Sequence, residues 1–190
     1  METEKVNSIF IDGRTVLFVD DEEKVLLSLK RALIDEPYNQ LFAVSGMEAL
    51  EILNQQDVHV IVSDMRMPEM DGLQLLKIVK EKRPNIIRTV LSGYADVDML
   101  RGVINRGEIY RFVTKPWSTE ELKCVIMQAL EYYELFGERE MLMQFFEKWV
   151  TGNEPKAADI EFLKELVSTR KTNMANWEKI HEEALAATSA

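Results

Sequence analysis

A single cysteine, Cys124, means that no intramolecular disulfide can brace the chain, and its thiol fits a reducing compartment. No apolar run reaches membrane-spanning length, and the N-terminus lacks the zones of a signal peptide. These absences predict a cytoplasmic protein that does not enter a membrane. Bases are outnumbered, with 23 Lys and Arg against 33 Asp and Glu, a net charge of −10, and no Lys/Arg cluster. A phosphate-backbone footprint needs the opposite balance, so nucleic acid is not an expected partner.

The 190 residues are 46% hydrophobic and 29% charged, enough for one ordinary domain plus an extension. The most informative stretch is Asp57–Gly72, DVHVIVSDMRMPEMDG. Its β-branched run (Val58, Val60, Ile61, Val62) reads as a parallel strand buried on both faces, and Asp64 falls at its end. Chemistry in open α/β sheets gathers at the carboxyl ends of strands, so Asp64 is a candidate nucleophile or metal ligand.

The rest of the chain repeats the unit. Strands are predicted at Thr15–Val19, Leu41–Val44, Val58–Ser63, Ile86–Leu91 and Ile109–Val113. Helical spacing marks Glu23–Ile34, Gly46–Leu53, Leu73–Val79, Val97–Ile104 and a helix from about Glu120, capped by Ser118 or Thr119. Strict alternation predicts a five-stranded, doubly wound parallel sheet with helices on both faces. Right-handed crossovers then bring Asp20, Asp21, Asp64, Ser92 and Lys115 to one sheet edge.

Three carboxylates in one partly dry pocket repel one another and call for a cation. Mg²⁺, a hard oxygen-seeking ion, is the natural candidate, with Lys115 as a second positive charge. Pro116 after that lysine suggests a cis bond in a tight turn. A carboxylate so placed can attack a phosphoryl group to form an acyl phosphate, and Ser92 can hydrogen-bond a phosphoryl oxygen.

The motifs VDDE (Val19–Glu22), SDMRMPEMDG (Ser63–Gly72), LSGYAD (Leu91–Asp96) and FVTKP (Phe112–Pro116) occur in one order and spacing. Together they resemble the receiver domain of two-component response regulators, over roughly residues 14–135. The resemblance implies a flavodoxin-like sheet of order 2-1-3-4-5. It also implies that Asp64 is the phosphoacceptor for a sensor histidine kinase or phosphotransfer protein, with no enzymatic turnover beyond its own phosphorylation and dephosphorylation. Asp21, Asp64 and the backbone carbonyl of Arg66 resemble the Mg²⁺ ligands, and Asp20 acts through a metal-bound water. Ser92 resembles the switch hydroxyl, Phe112 the switch aromatic, and Lys115 the lysine that pairs with the acceptor. Output then passes through the face made by the fourth helix, fifth strand and fifth helix. The run Ile104–Trp117 (INRGEIYRFVTKPW) resembles a receiver subgroup often joined to phosphodiesterase or ATPase-activator outputs, none of which is read here.

Residues 1–13 read as a lead-in and 136–190 as a helical extension. Met141, Phe145 and Trp149, with Leu142, Phe146 and Val150 alongside, give the leaving helix a broad apolar face, and TGNEP (Thr151–Pro155) breaks it. Ile160, Leu163 and Val167, then Met174, Trp177, His181 and Leu185, make a returning helical stripe. A homodimer through the fifth helix and tail, or contact with a downstream protein, would use that surface. The competing readings are a linker, or a receiver fragment of a larger regulator whose output domain is absent. A phosphate-ester hydrolase would need an acid/base Asp two residues after Asp64, where Arg66 stands. His59 reads as structural, and Cys124 as buried and inert. His181 lacks the glycine- and lysine-bearing surroundings of a phosphotransfer histidine. Tyr110 reads as an outward aromatic that could serve a partner.

Arg66 and Tyr94 are bulky neighbours able to obstruct an in-line water, which predicts a long-lived acyl phosphate. Replacing both by Ala should shorten its half-life, followed by the decay of radiolabelled protein. An unchanged half-life would refute the idea.

Overall fold

The computed structural model describes residues 13–93, 108–151, 160–161, 163–164 and 168, apart from the side chains at 138, 141, 145 and 148. The helix expected at Val97–Ile104, Tyr94, and the tail positions Met174, Trp177, His181 and Leu185 lie outside them. Two compact units divide the chain, Ile11–Gly137 and Met1–Phe10 with Glu138–Ala190.

The first unit carries strands β1 (Thr15–Val19), β2 (Asn39–Ala43), β3 (Val60–Asp64), β4 (Ile87–Gly93) and β5 (Arg111–Lys115). Its described helices are α1 (Glu23–Ala32), α2 (Gly46–Gln55), α3 (Gly72–Lys82) and the start of α4 (Thr119–Val150). All four strand pairs are parallel, and the order is β2-β1-β3-β4-β5, as the alternation and the resemblance predict.

Alternation along each strand divides the core. Val16, Phe18, Val60, Val62, Ile87, Leu91 and Val113 face one side with α1 and α4 residues such as Leu29, Leu122 and Ile126. Leu17, Val19, Ile61 and Val90 face the other with Ala49, Leu53, Leu75 and Val79 of α2 and α3. A sheet covered on both faces explains why the strands read as unbroken apolar runs.

Several boundaries differ from the pattern-based ones. β4 runs on through Ser92 and Gly93, and β5 begins and ends two residues later than expected. The cause is the ladder: Ser92 pairs with Thr114 and Gly93 with Lys115, so polar residues continue a strand that apolar pattern alone would close. Cys124 is exposed, correcting the buried reading, because Leu122, Val125 and Ile126 take the inward positions of that turn. Ser118 is the α4 cap, its Oγ accepting from Glu121 N at 3.0 Å.

At the opposite edge from the carboxyl ends, His59 is buried and structural. Thr15 N donates to its Nδ1 at 3.0 Å, and Arg14 Nη1 stands 3.2 Å from its Nε2. Tyr133 of α4 meets the imidazole edge-on at 4.9 Å, and Arg14 also pairs with Glu134 at 2.5 Å. Both neighbours of the ring nitrogens are donors, so the doubly protonated ring fits worst. Burial, then the Arg14 charge, lower the His59 pKa, against a smaller opposing pull from Asp57.

A lowered folded pKa gives stability that is full above the ordinary histidine value, about 6.5, and declines as pH falls below it. The melting temperature should therefore drop between pH 7 and pH 5. His59→Gln should flatten that drop in a calorimetric pH series, and equal slopes would show that His59 is not its source.

Candidate functional site

β3 and β5 end in an acid and a base at the same sheet edge, and an acid directly follows β1. Asp20 follows β1 and is wholly buried, while Asp64 closes β3 at 7% exposure. Charges so far from water are costly unless each oxygen finds a partner. Asp20 Oδ1 accepts from Glu22 N at 2.9 Å, at the first turn of α1, where the helix dipole favours an anion. Asp64 Oδ2 accepts from Arg66 N at 2.6 Å. The remaining oxygens share one cation: Lys115 Nζ is 2.7 Å from Asp20 Oδ2 and also pairs with Asp64 Oδ1. Lys115 leads into a cis peptide bond to Pro116, as the sequence suggests.

Burial alone would push the Lys115 amine down, but hydrogen bonds and charge from Asp20 and Asp64 outweigh it and hold its pKa up. Burial pushes the Asp20 carboxyl up, and nearby Asp64 adds to this, while Lys115 and the Glu22 amide pull the other way.

Asp21 is exposed at the rim. Ser92 is fully buried one strand over, its Oγ 3.4 Å from Met65 Sδ and 3.2 Å from the Gly93 carbonyl oxygen. Phe112 is half-buried and packs against the α2/α3 side of the core. The expected Asp20, Asp64 and Lys115 thus stand in direct contact, with Ser92 beside them through Met65.

Among the described residues no three Asp, Glu, His or Cys side chains are grouped so as to hold a metal by themselves. The donor chemistry nevertheless suits a hard cation. Two buried carboxylates share a single ammonium, so the trio keeps a net negative charge, and Asp21 adds to it. Mg²⁺ usually takes one or two carboxylates and keeps several waters, so the Arg66 carbonyl and waters would complete its shell.

The loop after β3 holds features that local pattern did not show. Glu69 has a positive φ of 64°, and Met70 N donates to the Pro68 carbonyl at 2.7 Å. Non-glycine residues are uncommon in that region of backbone space. Asp71 then caps α3, accepting from Gln74 N at 2.8 Å, while Gln74 Oε1 accepts from Asp71 N at 3.3 Å. Gly72 N donates to Met65 O at 3.0 Å. A Cβ on Gly72 would collide with the Asp64 carbonyl oxygen and lie 3.0 Å from its carbon. Only glycine lets α3 start this close beneath the acidic strand end.

A doubly wound parallel sheet of this order, with an acid pair and a lysine at its carboxyl edge, defines an α/β domain suited to charge chemistry on one carboxylate. The chain belongs to the response regulator receiver domain family, whose model matches residues 16–127. The hydrogenase transcriptional regulatory protein HoxA of Cupriavidus necator is 40% identical over 128 residues, 67% of this chain and 26% of that protein. Among solved structures, an uncharacterized Neptuniibacter caesariensis protein is 42% identical with TM-score 0.63, covering 66% of this chain and 93% of the other. The signal receiver domain of an HD domain-containing protein from Pseudomonas fluorescens Pf-5 is 35% identical with TM-score 0.63, covering 67% and 93%. The chain spans about a quarter of the length of HoxA.

Gly72→Ala should lower the unfolding free energy by about 2 kcal/mol, a typical overpacking cost. Because the clash falls on Asp64, any chemistry at that carboxylate should also slow. Urea titration and an acetyl phosphate time course would check both; unchanged values would mean that the loop relaxes freely.

Proposed function

We propose that this receiver takes a phosphoryl group onto Asp64 from the phosphohistidine of a sensor kinase or phosphotransfer protein. The observation that carries the reading is the buried Asp20–Lys115–Asp64 bridge, which holds one carboxylate at a strand end beside a fixed ammonium. An Asp64 oxygen attacks phosphorus as the P–N bond breaks, and the electron pair leaves with the imidazole, which takes up a proton. Lys115 Nζ moves its hydrogen bond from the carboxylate to a phosphoryl oxygen. Ser92 turns its hydroxyl to another, and Phe112 follows into the space released. Asp20, Asp21, Asp64 and the Arg66 carbonyl would hold Mg²⁺, which supplies charge neutralisation for the transferring group. Arg66, two residues after the acceptor, provides no acid/base carboxyl for rapid turnover.

We take 14–135 as the receiver and 136–190 as its helical extension. The later turns of α4 bear exposed apolar side chains, among them Trp149 at 58% and Val150 at 82% exposure. That surface supports output through a second copy or a protein partner. The relative length of HoxA supports a second reading, a receiver that governs an output domain outside these residues. No helix among the described residues is long and apolar enough to cross a membrane, which accords with a cytoplasmic role.

Acetyl phosphate with Mg²⁺ should yield a hydroxylamine-sensitive phosphoprotein, abolished by Asp64→Asn. Sizing with beryllofluoride and Mg²⁺ should then shift wild type toward a dimer and leave Asp64→Asn unmoved. Phosphorylation without a shift would favour the second reading, and label retained by Asp64→Asn would overturn the first.

A further inference from the structure

The loop from Asp64 to α3 turns outward at Pro68 and Glu69, both exposed, between two methionines that turn inward. Met67 is 8% exposed and Met70 half-buried, and both pack in the α2/α3 half of the core. The Met70 N–H, donating to Pro68 O at 2.7 Å, closes a three-residue γ-turn around Glu69, whose φ is 64°. A γ-turn with positive central φ is rare and strained, and a residue with a Cβ resists that region of backbone space. Something outside the turn must therefore hold it. Met70 supplies that hold by seating itself on Gly46, the buried first residue of α2. A Cβ on Gly46 would stand 2.8 Å from Met70 Sδ, 3.1 Å from its Cγ and 3.2 Å from its Cβ, so the methionine lies directly on bare backbone. At its other end the loop delivers the Arg66 N–H to Asp64 Oδ2 at 2.6 Å, a bond that orients the carboxylate.

We propose that Met70, seated on Gly46, is a positioning residue for the Asp64 carboxylate. It holds the γ-turn at Glu69, and through that turn it keeps the Arg66 amide on Asp64. The proposal rests on the reading of Asp64 as acceptor and Mg²⁺ ligand. Without the anchor, Glu69 relaxes to a negative φ, the loop swings away from α2, and the carboxylate loses its fixed orientation. A residue that adopts positive φ readily should make the anchor dispensable. Asparagine is such a residue, and unlike glycine it does not loosen the chain.

The test is the Mg²⁺ dissociation constant of the full chain, read from the amide NMR shifts of Asp64 and Arg66 during a magnesium chloride titration, with melting temperature recorded for every variant. Met70→Ala should weaken binding about five-fold, the scale of one left-handed non-glycine residue. Gly46→Ala should weaken it in the same direction, because the new methyl displaces the methionine. Glu69→Asn, added to either variant, should bring the constant back to within about two-fold of wild type, although it refills none of the packing lost at position 70. A constant that Met70→Ala leaves unchanged, or a weakening that Glu69→Asn does not reverse, would overturn the proposal. If Met70→Ala does not fold, Gly46→Ala with and without Glu69→Asn decides the matter. A wild type with no saturable shift, or Asp64→Asn with the wild-type constant, would instead overturn the functional reading on which the proposal stands.

Discussion

One ammonium group between two buried carboxylates governs the architecture of this domain. Lys115 reaches Asp20 and Asp64 from the end of a third strand, and no local segment could supply that meeting. It requires β1 and β3 to be neighbours and β5 to lie on the same side of β3 as β4, which is the observed order. Without the lysine, two acids would face each other in a dry pocket, and burial would drive one of them to protonate. With it, each carboxylate has an ammonium partner. Gly72 and the Glu22 and Arg66 amides serve the same end, because each keeps backbone close to an acid that needs it.

Much of this was legible from residue order. β-branched runs between helical spacings mark the strands, and a strictly alternating chain leaves few topologies once crossovers must be right-handed. Asp20, Asp64 and Lys115 could be placed at one edge for that reason. The extension of β4 through Ser92 and Gly93 escaped because those residues are not apolar; their strand character comes from pairing with β5. The exposure of Cys124 was readable in principle, since its neighbours Leu122, Val125 and Ile126 already claim the inward face. The Met65–Ser92 contact and the approach of Gly72 to Asp64 carry no local signature. Met65 and Ser92 are 27 residues apart and meet through the pairing of β3 with β4, whereas Gly72 meets Asp64 because the short loop between them folds back on the strand end.

The opposite edge has its own organisation. Arg14 pairs with Glu134, lies over the Tyr133 ring at 5.7 Å and touches His59, so the starts of β1 and β3 are tied to α4 just before the domain's limit. Tyr110 stacks on Tyr132 of the same helix at 4.9 Å, so the aromatic read as outward-facing is partly spent on internal packing. The start of α4 is thereby anchored at several points along its length, through its core residues and through this polar clasp.

The strands that contribute to the acid–lysine bridge are not equally restrained. β3 is central and buried at all five positions, whereas β5 is an edge strand with one buried residue, Val113. The bridge therefore joins two unlike surroundings. Asp64 is mounted on a central strand buried throughout, and Lys115 and Phe112 on a margin strand that solvent reaches.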